Sequence, residues 1–223
     1  MNAARAGQLV QQAAALRQAQ RMEEALAAAA EALQADAGHA QAAFAVAQLS
    51  FETWRPAAEA FARARSLLPA HPDLVRNHAL ALAAEGERFA AERLLESTLA
   101  AEPRWLDGHR TLAALRITHG DAEGFDRSYA AACAAQPAHA SLWLAWFQQH
   151  ATLKRWDAAG RVLAAAKSTS AANRGLALAE IFRDAETGAL GSAEVADARF
   201  APYAALQDPG LDICRARHWL RVG

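Results

Sequence analysis

Arg76 and Arg110 stand 34 residues apart, each three residues after an aspartate, in Asp73-Leu-Val-Arg76-Asn77 and Asp107-Gly-His-Arg110-Thr111. Two guanidinium groups repeated at that interval on neighbouring helices would clamp a carboxylate with paired N–H donors. Asn77 beside them would hydrogen-bond an extended main chain. Each arginine also has a competing partner, since an aspartate three residues earlier forms an intrahelical ion pair of about 0.2–0.5 kcal/mol. A ligand could displace so weak a pair, and solvated helix surface accounts for the same residues equally well.

Other groups suggest chemistry that their setting removes. His71-Pro72-Asp73 has the His-x-Asp spacing of a two-histidine, one-carboxylate iron site. Proline favours the first position of a helix and an aspartate beside it complements the helix dipole, so the triplet reads as a helix start. The eight histidines fall at turns or singly on helices, without paired ligand spacing. Cys133 and His139 are separated by a helix end and Pro137, so the thiol reads as a small buried side chain. There is no GxSxG elbow, P-loop, GxGxxG or HExxH. The expectation is a chain with no catalytic residues, no cofactor and no metal.

Composition narrows the class further. The 223 residues are 53% hydrophobic and 21% charged, with a net charge of −1. The basic residues are interleaved with acids, so the clustered charge that nucleic acid demands is missing. Two cysteines, Cys133 and Cys214, cannot build a disulfide framework, which points to a reducing, cytoplasmic setting. The opening MNAARAGQLVQQ does not read as a signal peptide. Residues 128–153 carry no Asp, Glu, Lys or Arg. They do hold Gln136, Pro137, Gln148 and Gln149, and read as soluble core rather than a membrane span.

What positions these groups is a helical repeat. Pro69, Pro103 and Pro137 are spaced 34 apart, and each follows an Ala/Leu-rich helical stretch that a proline would stop. Numbering each unit so that this proline is position 32 makes the units begin at Ala6, Gly38, Pro72, Leu106 and Ala140, with the first step two residues short. Position 8 then holds Ala13, Ala45, Ala79, Ala113 and Phe147. Position 20 holds Ala25, Ala57, Ala91, Phe125 and Ala159, and position 27 holds Ala32, Ala64, Thr98, Ala132 and Ala166. Small residues let paired helices approach to the short end of about 8–10 Å. Position 24 is mostly large (Phe61, Leu95, Tyr129, Leu163), and Met22, Trp54 and Trp156 recur at position 17 with Phe89 one place late. These bulky groups are expected to fill the spaces between hairpins. Gly86 and Gly120 at position 15 suit a left-handed helix exit.

The pattern resembles the tetratricopeptide repeat, a 34-residue helix–turn–helix unit. The resemblance implies an all-α, right-handed superhelical solenoid of antiparallel helix pairs, with five hairpins over residues 6–171. Residues 172–223 then form a degenerate sixth hairpin, with Gly188 at position 15 and Ser192 as a cap, plus the first helix of an incomplete seventh. In that last helix Asp208 caps, Pro209 opens, Gly223 reaches position 15, and Leu211, Ile213, Trp219 and Leu220 make an apolar stripe. Phe125 and Phe147 at alanine positions imply wider packing near 120–150, with Ala122 and Gly124 making room.

In such repeats positions 2, 5, 6, 9 and 12 of the first helices line a concave face. The resemblance places there Asp73, Arg76, Asn77 and Leu80 in the third unit, Asp107, Arg110, Thr111, Ala114 and Ile117 in the fourth, and Leu144, Gln148 and Ala151 in the fifth. It implies a protein or peptide partner, acidic if the arginines hold it, no nucleic acid, no membrane, and self-association through the final helix. The ending RARHWLRVG is also similar to the front of bacterial repeat proteins fused to a 2-oxoglutarate/Fe(II) oxygenase, and in outline to repeat-fused sulfo- and glycosyltransferases. On that alternative the catalytic domain lies beyond this chain.

Overall fold

Runs of Ala, Leu, Glu, Gln and Arg with small residues at every third or fourth position favour helices that pack closely. In the computed structural model, which describes residues 3–69, 72–170, 173–206 and 209–222, the described residues form thirteen α-helices and no strand. They are α1 Ala3–Gln18, α2 Met22–Ala35, α3 Ala40–Glu52, α4 Ala58–Leu67, α5 Pro72–Ala84, α6 Arg88–Ala101 and α7 Leu106–Thr118. There follow α8 Ala122–Ala135, α9 Ala140–Thr152, α10 Trp156–Ser170, α11 Arg174–Thr187, α12 Ala193–Phe200 and α13 Pro209–Val222, with a 3-10 turn at Ala201–Leu206 before the last. The fold is all-α, and the chain divides into two compact units, Met1–Phe125 and Asp126–Gly223. His71, Asp208 and Gly223 lie outside the described residues.

A left-handed residue ends the first helix of each pair. Gln20 (φ 59°), Trp54 (59°), Gly86 (88°), Gly120 (78°), Lys154 (55°) and Gly188 (78°) mark one equivalent point in six successive turns. Gly188 is thus at the position that counting assigned to it. The steps between these residues are 34 except from Trp54 to Gly86, which is 32. The two-residue shortfall therefore lies in the second hairpin rather than in the first step. Correspondingly, the buried alanine at position 8 of that hairpin is Ala47, fully enclosed, while Ala45 is half-buried.

The missing residues come out of the start of α4, which spans ten residues where α2 and α6 span fourteen, and whose N-terminus has no side-chain cap of its own. The cap arrives from the next repeat instead: Glu85 Oε1 accepts from the backbone N–H of Ala57 at 2.7 Å and of Ala58 at 2.8 Å.

The alanine columns form the core of the first unit. Ala13, Ala25, Ala32, Ala57, Ala64, Ala79 and Ala91 are all buried, and Phe61 and Leu95 at position 24 are wholly enclosed. The column at position 17 packs as expected at Met22 and Trp156 but not at its other two members. Trp54 is 96% exposed because it occupies the left-handed turn, and Phe89 is 75% exposed at the start of α6. Arg116 is buried beside α6, bonded to Glu92 at 3.3 Å, to Glu96, and to the Gly124 carbonyl at 3.3 Å. At Gly124 the missing side chain leaves room for a neighbouring carboxylate. A Cβ there would meet the Asp121 carboxylate at 2.1 Å and Arg116 Cδ at 2.9 Å, and that carboxylate accepts from Gly124 N–H at 2.8 Å.

In the second unit, Trp146 stacks between Tyr129 (6.3 Å) and Trp143 (6.1 Å). Its indole N–H donates to Asp126 at 2.8 Å, and His150 Nε2 meets the same oxygen at 2.9 Å. Asp184 is buried between Arg183 (2.9 Å) and Arg199 (2.7 Å), and Ile181, Ala185, Leu190, Ala196, Phe200 and Cys214 close the core behind it. Ser192 Oγ accepts from Val195 N–H at 3.4 Å, capping α12. The apolar residues of α13 divide: Cys214 faces inward, whereas Ile213, Trp219 and Leu220 are exposed.

The proline column has a second role besides stopping helices. Trp143 Nε1 donates to the Pro137 carbonyl at 2.9 Å, and His109 Nε2 bonds the Pro103 carbonyl at 2.8 Å. Each donor is the fourth residue of its helix and sits six after its proline. A carbonyl only accepts, so His109 carries its proton on Nε2, and its buried Nδ1 is left without a partner.

Candidate functional site

Among the first helices of each pair, α5 and α7 pack as neighbours in the first unit and carry the arginine cluster. Arg76 is partly exposed and pairs with Asp73 at 3.6 Å, as the three-residue spacing on one helix face dictates. Arg110 is exposed and also has a partner within the chain. Asp107 is exposed, and its carbonyl accepts from the Thr111 hydroxyl at 2.7 Å, so that hydroxyl is committed to its own helix. Asn77 is half-buried. These six residues therefore share two adjacent helices, with one weak, solvent-accessible ion pair at Arg76.

Gln148 lies in the second unit, where α9, α11 and α13 enclose a groove of about 690 Å³. Leu144, Phe147, Gln148, Ala151 and Thr152 line it from α9, and Gly175, Leu178, Ala179 and Phe182 from α11, with Cys214 of α13 at its end. These residues recur three and four apart, so each helix presents one continuous stripe. Counting from the left-handed Gly188 puts Gly175, Leu178, Ala179 and Phe182 at positions 2, 5, 6 and 9 of the sixth repeat. At positions 2, 5 and 6 the third and fourth carry Asp73, Arg76, Asn77, Asp107, Arg110 and Thr111.

Local structure fixes the walls. Phe182 is held edge-on by Trp156, ring centroids 6.0 Å apart. Gly175 lets α9 come close: a Cβ there would sit 2.8 Å from Leu144 Cδ1. Asn173 caps α11 through bonds to Gly175 N–H (2.9 Å) and Leu176 N–H (3.2 Å), setting where the helix begins. Phe147 occupies the alanine position 8 and is buried along the groove. Thr152 gives its hydroxyl proton to the Gln148 carbonyl at 2.9 Å. The Gln148 side-chain amide is exposed and makes no hydrogen bond with the described residues.

Several of the described histidines serve the fold. His39 Nδ1 caps α3 by accepting from Ala42 N–H at 3.2 Å, and His218 bonds the Gly191 carbonyl at 3.1 Å. Burial pushes His78 and His150 below the ordinary imidazole range, against the raising effect of Glu85 and Asp126 respectively. Burial also pushes the Cys133 thiol up to about 12, which removes its nucleophilic form at neutral pH. Among the described residues no three His, Cys, Asp or Glu side chains are grouped to hold a metal ion. No helix among them is long and apolar enough to cross a membrane.

Searched by sequence, neither a protein-family model nor a curated protein matches the chain. Solved structures do. A tetratricopeptide repeat protein from Parabacteroides merdae is 14% identical, covering 96% of this chain and 84% of its own, with a TM-score of 0.56. The chain has the tetratricopeptide-repeat fold. PilF of Pseudomonas aeruginosa is 14% identical over 97% of this chain and 95% of its own, TM-score 0.55. YrrB, described as a TPR protein with an unusual peptide-binding site, is 18% identical over 77% of this chain and 90% of its own, TM-score 0.51. At these identities the likeness is one of TPR architecture.

Proposed function

We propose that this chain is a non-catalytic TPR scaffold, working in the cytoplasm, that holds a protein or peptide on the face made by its first helices. The observation that carries the reading is the groove along α9 and α11, built from the same helix positions that present Arg76 and Arg110 two repeats earlier. A surface repeated in phase along successive helices suits an extended partner, which itself repeats every few ångströms. YrrB, with its peptide-binding site, shares the fold. In the first unit, Asp73, Arg76, Asn77, Asp107, Arg110 and Thr111 make a charged surface of its own at the equivalent helix positions and would take acidic side chains.

The test is selection from a random peptide library on the immobilised full chain, followed by fluorescence anisotropy with the selected peptides. Binding that competes among peptides at micromolar concentration supports the reading. Charge reversal of Arg76 and Arg110 should weaken acidic peptides without changing the melting temperature. A library that yields nothing above the blank matrix overturns it.

A further inference from the structure

The groove of the second unit differs in chemistry from the arginine cluster of the first. Among the described residues its lining carries no carboxylate, ammonium or guanidinium group, and their polar equipment reduces to one uncommitted amide, Gln148, since Thr152 is bonded to its own helix. A charged side chain entering it would lose water and gain no counter-charge. Apolar side chains would find Leu144, Phe147, Leu178 and Phe182 already positioned, the last of them braced by Trp156.

Resting on the scaffold reading above, we infer that this groove takes an uncharged, extended peptide segment with two aliphatic side chains at alternate residues. Gln148 bridges to the peptide main chain with its amide N–H and C=O. The dimensions agree. From Leu144 to Thr152 the helix rises about 12 Å, the length of roughly four residues of extended chain. Alternate side chains of such a segment point the same way, so two of them enter together. A volume of about 690 Å³ falls within the range of sites that enclose a ligand of this size. The amide matters because an extended main chain offers one donor and one acceptor at each residue, and Gln supplies the matching pair.

The experiment uses the full chain and an end-blocked, fluorescein-labelled peptide, Gly-Ser-Asn-Leu-Ser-Leu-Asn-Ser-Gly, with matched peptides in which both Leu are Ser or both are Asp. The Leu peptide should bind at least about 30-fold more tightly than either control. Gln148→Ala should weaken it about fivefold, and Ala179→Arg should abolish it. Thr152→Arg, at an exposed rim position, repeats the block without touching the core and should do the same. Equal binding of the three peptides, or Leu-peptide binding unchanged in Thr152→Arg, overturns the inference.

The outcomes separate the two levels of argument. Acidic peptides that bind wild type and Thr152→Arg alike, and are lost on Arg76 and Arg110 reversal, leave the scaffold reading standing and sink this one. Failure of every library peptide sinks both. Saturation of the groove by a small apolar dye that no peptide displaces makes it a small-molecule cavity and overturns the inference.

Discussion

Glu85 offers the sharpest test of how the second repeat copes with its shortened second helix. Its carboxylate accepts two backbone N–H groups, of Ala57 and Ala58, whose residues are 1% and 8% exposed. In Glu85→Ala those donors lose their partner in a place that water reaches poorly. Loss of an N-cap costs about 0.5–2 kcal/mol. Two charge-assisted bonds argue for the upper part of that range, while the exposure of Glu85 itself pulls the figure down, giving about 1.5 kcal/mol. At a chain of this size that is a fall of about 3–6 °C in melting temperature. Glu85→Gln keeps an acceptor and should lose about half as much. Glu87→Ala, two residues away and without a cap bond, should stay within about 0.5 kcal/mol of wild type. Thermal and urea melts followed by helical circular dichroism read all three. If Glu85→Ala and Glu87→Ala prove equal, the trans-repeat cap contributes nothing and the account of the shortened helix is wrong.

Three further outcomes are expected. Ala91→Leu, at a fully buried position of α6, should destabilise by about 1–3 kcal/mol in urea, and a neutral result would contradict the register of the third hairpin. His109→Ala should cost about 1–3 kcal/mol by leaving the Pro103 carbonyl without its donor, with His109→Gln recovering part of it in a thermal melt. Because burial holds His78 and His150 below the usual imidazole range, the folded chain takes up fewer protons than the unfolded chain near pH 6.5. Stability is then complete above that pH and falls below it, by up to about 1.4 kcal/mol per pH unit for each group. The urea midpoint should drop between pH 7.5 and 5.5, and a midpoint that rises instead would refute the sign.

The helices and their pairing were legible because close helix contact demands small residues, and Ala25, Ala57, Ala91 and Ala159 recur in phase with three prolines. The same abundance of alanine concealed the true place of the deletion. Ala43, Ala45 and Ala47 differ only in which of them the neighbouring helices cover, Ala43 and Ala47 but not Ala45, and that register changes only beyond them, where α4 has lost its first turn. Trp54 was misread for a related reason: its size suggests burial, while its backbone sits where Gly86 and Gly120 sit in the following turns. For the site, Leu144, Gln148 and Ala151 followed from counting positions along α9. Leu178 and Phe182 did not, because no proline marks the sixth repeat, although Gly188 alone is enough to number it. The chemistry of the groove needed the structure, since only packing shows that Phe147 borders a space.

The bonds from Trp143 and His109 to the carbonyls of Pro137 and Pro103 make each junction a stitch sewn by the following unit. Val75, the fourth residue of α5, has no N–H on its side chain with which to sew. These repeats are consequently not interchangeable bricks. A chimera that moved α5 behind Pro137 would carry the right fold into a seam it cannot close, and order along the chain is itself part of what keeps the array intact.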